Sequence, residues 1–140
     1  MNVENKITIK PVSLDDVRLP LVIRDSIGNP SPDKILEVIK SYSSQDDEII
    51  GAFSDNILVG ILGICKNNRL ISIRHISVLP EFRDQGIGTL LLGNIRKQDA
   101  SQIIAETDQE SVYFYAKSGF SCHEFKSCYG NLRYKCELSL

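Results

Sequence analysis

The chain has 140 residues, 42% of them hydrophobic and 24% charged, with a formal net charge of −2. That length fits a single domain, residues 1–140, burying roughly two-thirds of its unfolded surface without a metal or disulfide staple. The near-balanced charge and the lack of a Lys/Arg cluster argue against nucleic acid or an anionic membrane as partner, and no apolar run reaches spanning length.

Met1-Asn2-Val3-Glu4-Asn5-Lys6 has no apolar core of the signal-peptide kind, so the expected setting is cytoplasmic. Cys65, Cys122, Cys128 and Cys136 then read as thiols in a reducing compartment. His123 follows Cys122, but the spacings fit no zinc pattern and no metal is expected.

Ile7 to Pro11 alternates and ends in proline, which predicts a short first strand. Ser13, followed by Leu14, Asp15 and Asp16, predicts a helix N-cap, with Leu19, Leu21, Val22 and Ile23 continuing the helix loosely and Pro20 kinking or interrupting it. Gly28-Asn29-Pro30 breaks the chain. Ser31-Pro32 then opens a second helix, whose apolar stripe is Ile35, Leu36, Val38 and Ile39 and which ends near Tyr42. Glu48 to Phe53 and Ile57 to Cys65 predict two strands joined at Ser54-Asp55-Asn56. After a turn at Lys66 to Arg69, a β-branched run from Leu70 to Val78 predicts a fourth strand, antiparallel to the one before.

Within that fourth strand the apolar alternation slips by one at Arg74-His75, as an inserted β-bulge residue would make it. Plain solvent-facing side chains give the same pattern. A helix from the Gly turn to about Gln98 leads to a fifth strand, Ser101 to Thr107, which must run parallel to the fourth. A further helix carries Val112 to Tyr115 and stops at Gly119. Phe120 to Glu124 and Leu132 to Leu138 form the last two strands, joined across Tyr129 to Asn131.

The densest chemical signal lies where the fourth strand ends, in Val78-Leu79-Pro80-Glu81-Phe82-Arg83-Asp84-Gln85-Gly86-Ile87-Gly88-Thr89. A strand, a glycine-bearing turn and a helix N-terminus together present unpaired N–H groups and partial positive charge, which suits a phosphate. Gly88 is followed by Thr89, so the lysine of a P-loop is missing, and the third glycine of a dinucleotide fingerprint is missing too. The hexapeptide Arg83 to Gly88 resembles instead the Arg/Gln-x-x-Gly-x-Gly/Ala acyl-CoA motif of the GNAT superfamily of N-acetyltransferases. About 20 residues on, Asp108 to Phe120 is similar to the C-terminal signature of that family, with Tyr115, Lys117 and Gly119-Phe120 at its spacing.

The resemblance implies an α+β fold in α/β/α layers. Its mixed, mostly antiparallel sheet has about six to seven strands, with a splayed central parallel pair and about four helices. It implies acetyl-CoA as acyl donor, held by the backbone of Ile76, Ser77 and Val78 along the pantetheine arm. The pyrophosphate falls to the N–H groups of Arg83, Asp84, Gln85, Gly86, Ile87, Gly88 and Thr89. Asp108 stands where many members have an Asn that contacts the cofactor, although a carboxylate cannot donate. Tyr115 occupies the position that protonates the departing thiolate in family members. On its own residue type it reads first as a core aromatic with its hydroxyl at the surface, and only the motif context favours the catalytic role.

Transfer to an amine needs a neutral nucleophile, hence a base or a water chain to one. Glu106, Glu48, Glu81 and His75 are candidates, and none is singled out. Tyr113 reads as a packing residue. No cysteine lies in either motif, which favours direct attack in a ternary complex over a covalent enzyme intermediate. A non-catalytic acyl-CoA-binding module of the same fold, and more remotely a nucleotide-binding domain, share the signal. Exposed terminal strands are compatible with a homodimer, and the acceptor carries no recognisable code.

Overall fold

The computed structural model describes residues 6–140. Most of the segment behind the cytoplasmic expectation, Met1 to Asn5, lies outside them. The elements run β1 (Ile7–Pro11), α1 (Leu19–Ile23), α2 (Pro32–Lys40), β2 (Asp47–Ser54), β3 (Ile57–Asn67), β4 (Leu70–Val78), α3 (Ile87–Arg96), β5 (Gln102–Thr107), α4 (Val112–Lys117), β6 (Ser121–Lys126) and β7 (Leu132–Ser139). Every expected strand is present and the class is α+β. The seven strands are ordered β1-β2-β3-β4-β5-β7-β6. β4 and β5 form the parallel pair, while β1–β2, β2–β3, β5–β7 and β6–β7 are antiparallel.

The chain divides into two compact units. One comprises the residues up to Cys65 with Arg74–Gln98; the other comprises Lys66–Ile73 with Asp99–Leu140. In the first, Leu58 to Ile64 is buried without a break, as for a strand covered on both faces. Leu19, Ile23, Ile50, Ile61, Leu62, Leu91, Leu92 and Ile95 complete that core, and each contributes about 1.5–3 kcal/mol by leaving water. The hairpin between β2 and β3 turns at Asp55 (φ 50°) and Asn56 (φ 68°), the left-handed pair that a two-residue turn demands.

In the second unit, β4 pairs with β5 from Leu70↔Gln102 to Ile73↔Ala105. β7 runs along the other side of β5 from Gln102↔Ser139 to Thr107↔Tyr134. α4 packs on β6 and β7.

Four local expectations need correction. Ser13 does not open a helix: its Oγ accepts from the Asp15 N–H in an isolated turn, and α1 starts only at Leu19. Pro20 therefore sits in the first turn of α1, where its missing N–H costs nothing, and does not kink it. The turn before β4 is shorter than expected, because β3 continues to Asn67 and Asn68 takes the left-handed conformation (φ 56°). Tyr113, expected to pack, is 71% exposed. By contrast, α2 begins as its residues dictate, with the Ser31 Oγ accepting from the Lys34 N–H at 3.1 Å.

Candidate active site

The exit of β4 is fixed by backbone. The Leu79 N–H donates to the Val59 carbonyl at 2.9 Å, and Gly60 allows the close packing: a Cβ there would lie 3.3 Å from Ile87 Cγ2 and 3.4 Å from the Ser77 carbonyl and from Val78 Cγ2. Ser77 is buried, while Ile76 and Val78 are half-buried. A single 3₁₀ turn over Pro80–Phe82 follows. The chain then passes through Asp84 (φ 60°) and Gly86 (φ 80°) before α3 begins.

Gly86 is the N-cap of α3 and offers no side-chain acceptor. The first-turn N–H groups of Ile87, Gly88 and Thr89 therefore have no side-chain cap from that position, and the positive end of the helix dipole lies beside them. A Cβ at Gly86 meets nothing within 4 Å. Glycine is required there by the left-handed backbone and not by crowding. Ile87 is buried and anchors the turn, whereas Arg83, Asp84, Gln85, Gly86 and Thr89 are exposed.

Arg83 has a more structural position than its sequence context suggests. Its Nε donates to the Val78 carbonyl at 2.9 Å, its Nη2 pairs with Asp25 at 3.1 Å, and its own N–H donates to Pro80. The side chain ties the strand exit to the segment after α1. Gln85 Nε2 donates in turn to the Glu81 carbonyl at 3.3 Å.

One residue upstream of Ile76 lies a cluster that spacing along the chain does not reveal. Tyr42, 4% exposed, lies over Gly63 of β3 and shares a 2.5 Å hydrogen bond with His75 Nδ1. The Arg74 guanidinium stands 4.0 Å from the centroid of the same ring, donates to Ser41 Oγ at 2.7 Å and pairs with Asp47 at 3.5 Å. Adjacent residues of a regular strand face opposite ways, yet Arg74 and His75 both reach Tyr42. Burial, and secondarily the charge of Arg74, lower the His75 pKa to about 4, so the ring is neutral near pH 7. The Tyr42 phenol is pushed up, mainly by burial. Of the other base candidates, Glu81 and Glu106 are exposed and Glu48 is half-buried.

In the second unit, Asp108 organises the start of α4. Its Oδ1 accepts from the Ser111 N–H at 2.9 Å and its carbonyl from the Val112 N–H at 3.0 Å. Three residues later in the helix register, Tyr115 is 2% exposed and meets Phe114 and Phe120 edge-on, each ring centroid 5.3 Å away. Gly119 (φ 98°) ends the helix, and the Phe120 N–H closes back on the Tyr115 carbonyl at 3.1 Å. Burial raises the Tyr115 pKa above its ordinary value, with further contributions from Cys136, Asp108 and Cys122.

Among the described residues no group of three or more His, Cys, Asp or Glu is placed to hold a metal ion, and no helix is long and apolar enough to cross a membrane.

Comparison with known proteins agrees with this arrangement. The family model described as an acetyltransferase (GNAT) domain matches residues 30–134. An aminoglycoside 6'-N-acetyltransferase complexed with coenzyme A superposes with a TM-score of 0.82 at 14% identity, covering 94% of this chain and 96% of that one. A GNAT family acetyltransferase from Elizabethkingia anophelis with acetyl-CoA bound gives 0.75 at 19% identity, covering 98% and 100%. The PaiA N-acetyltransferase from Thermoplasma acidophilum in complex with coenzyme A gives 0.73 at 20%, covering 96% and 99%. With the model spanning both the β4–α3 turn and the Asp108–Phe120 block, the chain belongs to the GNAT family of acetyltransferases.

Proposed function

We propose that the protein is a cytoplasmic N-acetyltransferase, one catalytic domain over residues 1–140, that moves the acetyl group of acetyl-CoA to a primary amine. The observation that carries this reading is the β4–α3 turn, where the left-handed Gly86 opens a helix with no side-chain cap. A diphosphate is the natural ligand of such a terminus. In this reading the N–H groups from Arg83 to Thr89 hold the pyrophosphate, apart from the Arg83 N–H, which is already given to Pro80. The backbone of Ile76, Ser77 and Val78 pairs with the pantetheine arm as an added strand does. Asp108 contacts the cofactor as an acceptor, while its Oδ1 also accepts from the Ser111 N–H at the start of α4.

The chemistry is a direct displacement. The neutral amine attacks the thioester carbonyl carbon, and the N–H of Val78 stabilises the oxyanion. The carbon–sulfur bond then breaks, and the thiolate takes the proton of the Tyr115 hydroxyl. The proton shed by the amine passes to water, and the Tyr115 phenolate takes a proton back from water. His75, neutral near pH 7 and half-buried beside Ile76, offers a hydrogen-bonding group on β4 without adding positive charge near an incoming amine.

The test is release of CoA thiol from acetyl-CoA across a panel of peptide N-termini, lysine side chains, polyamines and aminoglycosides, the last suggested by the name of one similar structure. Amine-dependent thiol release is the expected result. Acetyl-CoA binding without release from any amine makes the protein a non-catalytic acyl-CoA module, and absence of binding removes the reading altogether. Sedimentation of the same sample decides between monomer and homodimer.

A further inference from the structure

Two of the four cysteines are register partners. Cys122 of β6 lies directly opposite Cys136 of β7 in the antiparallel ladder. Opposed Cα atoms in such a ladder are about 4.5–5.5 Å apart, within the roughly 4.4–6.8 Å that a disulfide spans. Opposed side chains also share one face of the sheet, so the two sulfurs point the same way. Cys136 is fully buried (0% exposed) and Cys122 is half-buried, so Cys122 is the more exposed of the two. Cys65 and Cys128 have no comparable place: one is on β3, the other in the turn between β6 and β7.

We propose that Cys122 and Cys136 form a modification site, a dithiol that a low-molecular-weight disulfide such as oxidised glutathione closes into a cross-strand bridge. The Cys122 thiolate attacks one sulfur of the reagent, forming a mixed disulfide and expelling one thiolate. Cys136 loses its proton and attacks Cys122 Sγ, expelling the second. Two cysteines are oxidised, one disulfide is reduced to two thiols, and the two cysteine protons end on the leaving thiolates. The second step is the slow one, because Cys136 is fully buried and burial disfavours its thiolate.

The site is placed to matter. α4, which carries Tyr115, packs on β6 and β7, the strands that carry the two cysteines. Closing the bridge cross-links the two strands on which α4 packs and lowers acetyl transfer through Tyr115 of that helix. This second half rests on the proposed role of Tyr115. The bridge itself does not.

The experiment uses the full chain carrying Cys65→Ser and Cys128→Ser. Incubation with oxidised glutathione should give a product lighter by two hydrogens, with peptides containing Cys122 and Cys136 joined, and dithiothreitol should reverse it. Cys136→Ala should instead stop at glutathione on Cys122, and Cys122→Ala should take up nothing. A persistent glutathione adduct in the protein with both cysteines, or no reaction, overturns the dithiol site. The oxidised protein should lose at least about fivefold in turnover, with acetyl-CoA affinity unchanged and activity restored by reduction. Unchanged turnover in a bridged protein overturns the coupling to Tyr115. Because the mass readout needs no activity, failure of the bridge and failure of the acetyltransferase reading are seen separately.

Discussion

Adding a single methyl at Gly63 should dismantle the cluster beside the proposed pantetheine strand. An alanine Cβ there falls onto Tyr42 Oη, 2.6 Å from Cζ and 3.0 Å from Cε1. Real Cβ contacts are not that short, and the ring is too buried to tilt aside freely, so it must leave its place over β3. Its departure breaks the hydrogen bond to His75 and strips the Arg74 guanidinium of the ring beneath it. Overpacking of this kind costs about 1–3 kcal/mol. The lost hydrogen bond adds about 1 kcal/mol and the lost cation–π contact about 0.5–1 kcal/mol. Gly63→Ala should therefore destabilise the protein by about 2.5–5 kcal/mol, read as a lower urea midpoint with an unchanged slope. In a Tyr42→Ala background the obstacle is gone, and the same substitution should cost less than about 1 kcal/mol. Equal costs in the two backgrounds would refute the argument that Gly63 exists to seat Tyr42.

His75 supplies a second outcome. With its folded pKa lowered from 6.5 to about 4, the unfolded chain takes up a proton first, so stability falls as the pH drops below 6.5 and stops falling near 4. Urea midpoints measured across that window should show the slope, and His75→Gln should flatten it; an unchanged slope contradicts the assignment. Tyr115→Phe should lower kcat by about a hundredfold or more while leaving the acetyl-CoA Kd alone, and equal turnover excludes the phenol as proton donor. Asp108→Ala should lower stability by about 1 kcal/mol through loss of the bond to the Ser111 N–H, whereas Asp108→Asn keeps the acceptor and should cost little in a thermal melt.

What the sequence made legible was local or periodic. Alternation and turn residues located all seven strands, and the strand–helix–strand rule fixed β5 parallel to β4. Ser31-Pro32 and Gly86 announced their helix ends because capping and left-handed backbone are decided within a few residues. The first helix was misread because Ser13, Asp15 and Asp16 satisfy the pattern of an N-cap while their backbone stays in an isolated turn. The slip at Arg74-His75 was visible, but its partner was not. Tyr42 lies 33 residues from His75, and only the glycine at position 63 hinted that a ring needed room. The Arg83–Asp25 pair, 58 residues apart, left no trace in spacing. The opposition of Cys122 and Cys136 likewise depends on the β6–β7 register, which no count along the chain supplies.

The claim on which the rest depends is that the β4–α3 turn holds the diphosphate of acetyl-CoA. Titration calorimetry with acetyl-CoA and with S-acetylpantetheine, which lacks the phosphates, tests it on the wild-type protein and on Gly88→Glu, whose carboxylate enters the first turn of α3. Acetyl-CoA should bind the variant at least about tenfold more weakly, some 1.4 kcal/mol, while S-acetylpantetheine binds both proteins alike. Equal acetyl-CoA affinity in the two proteins would contradict the account.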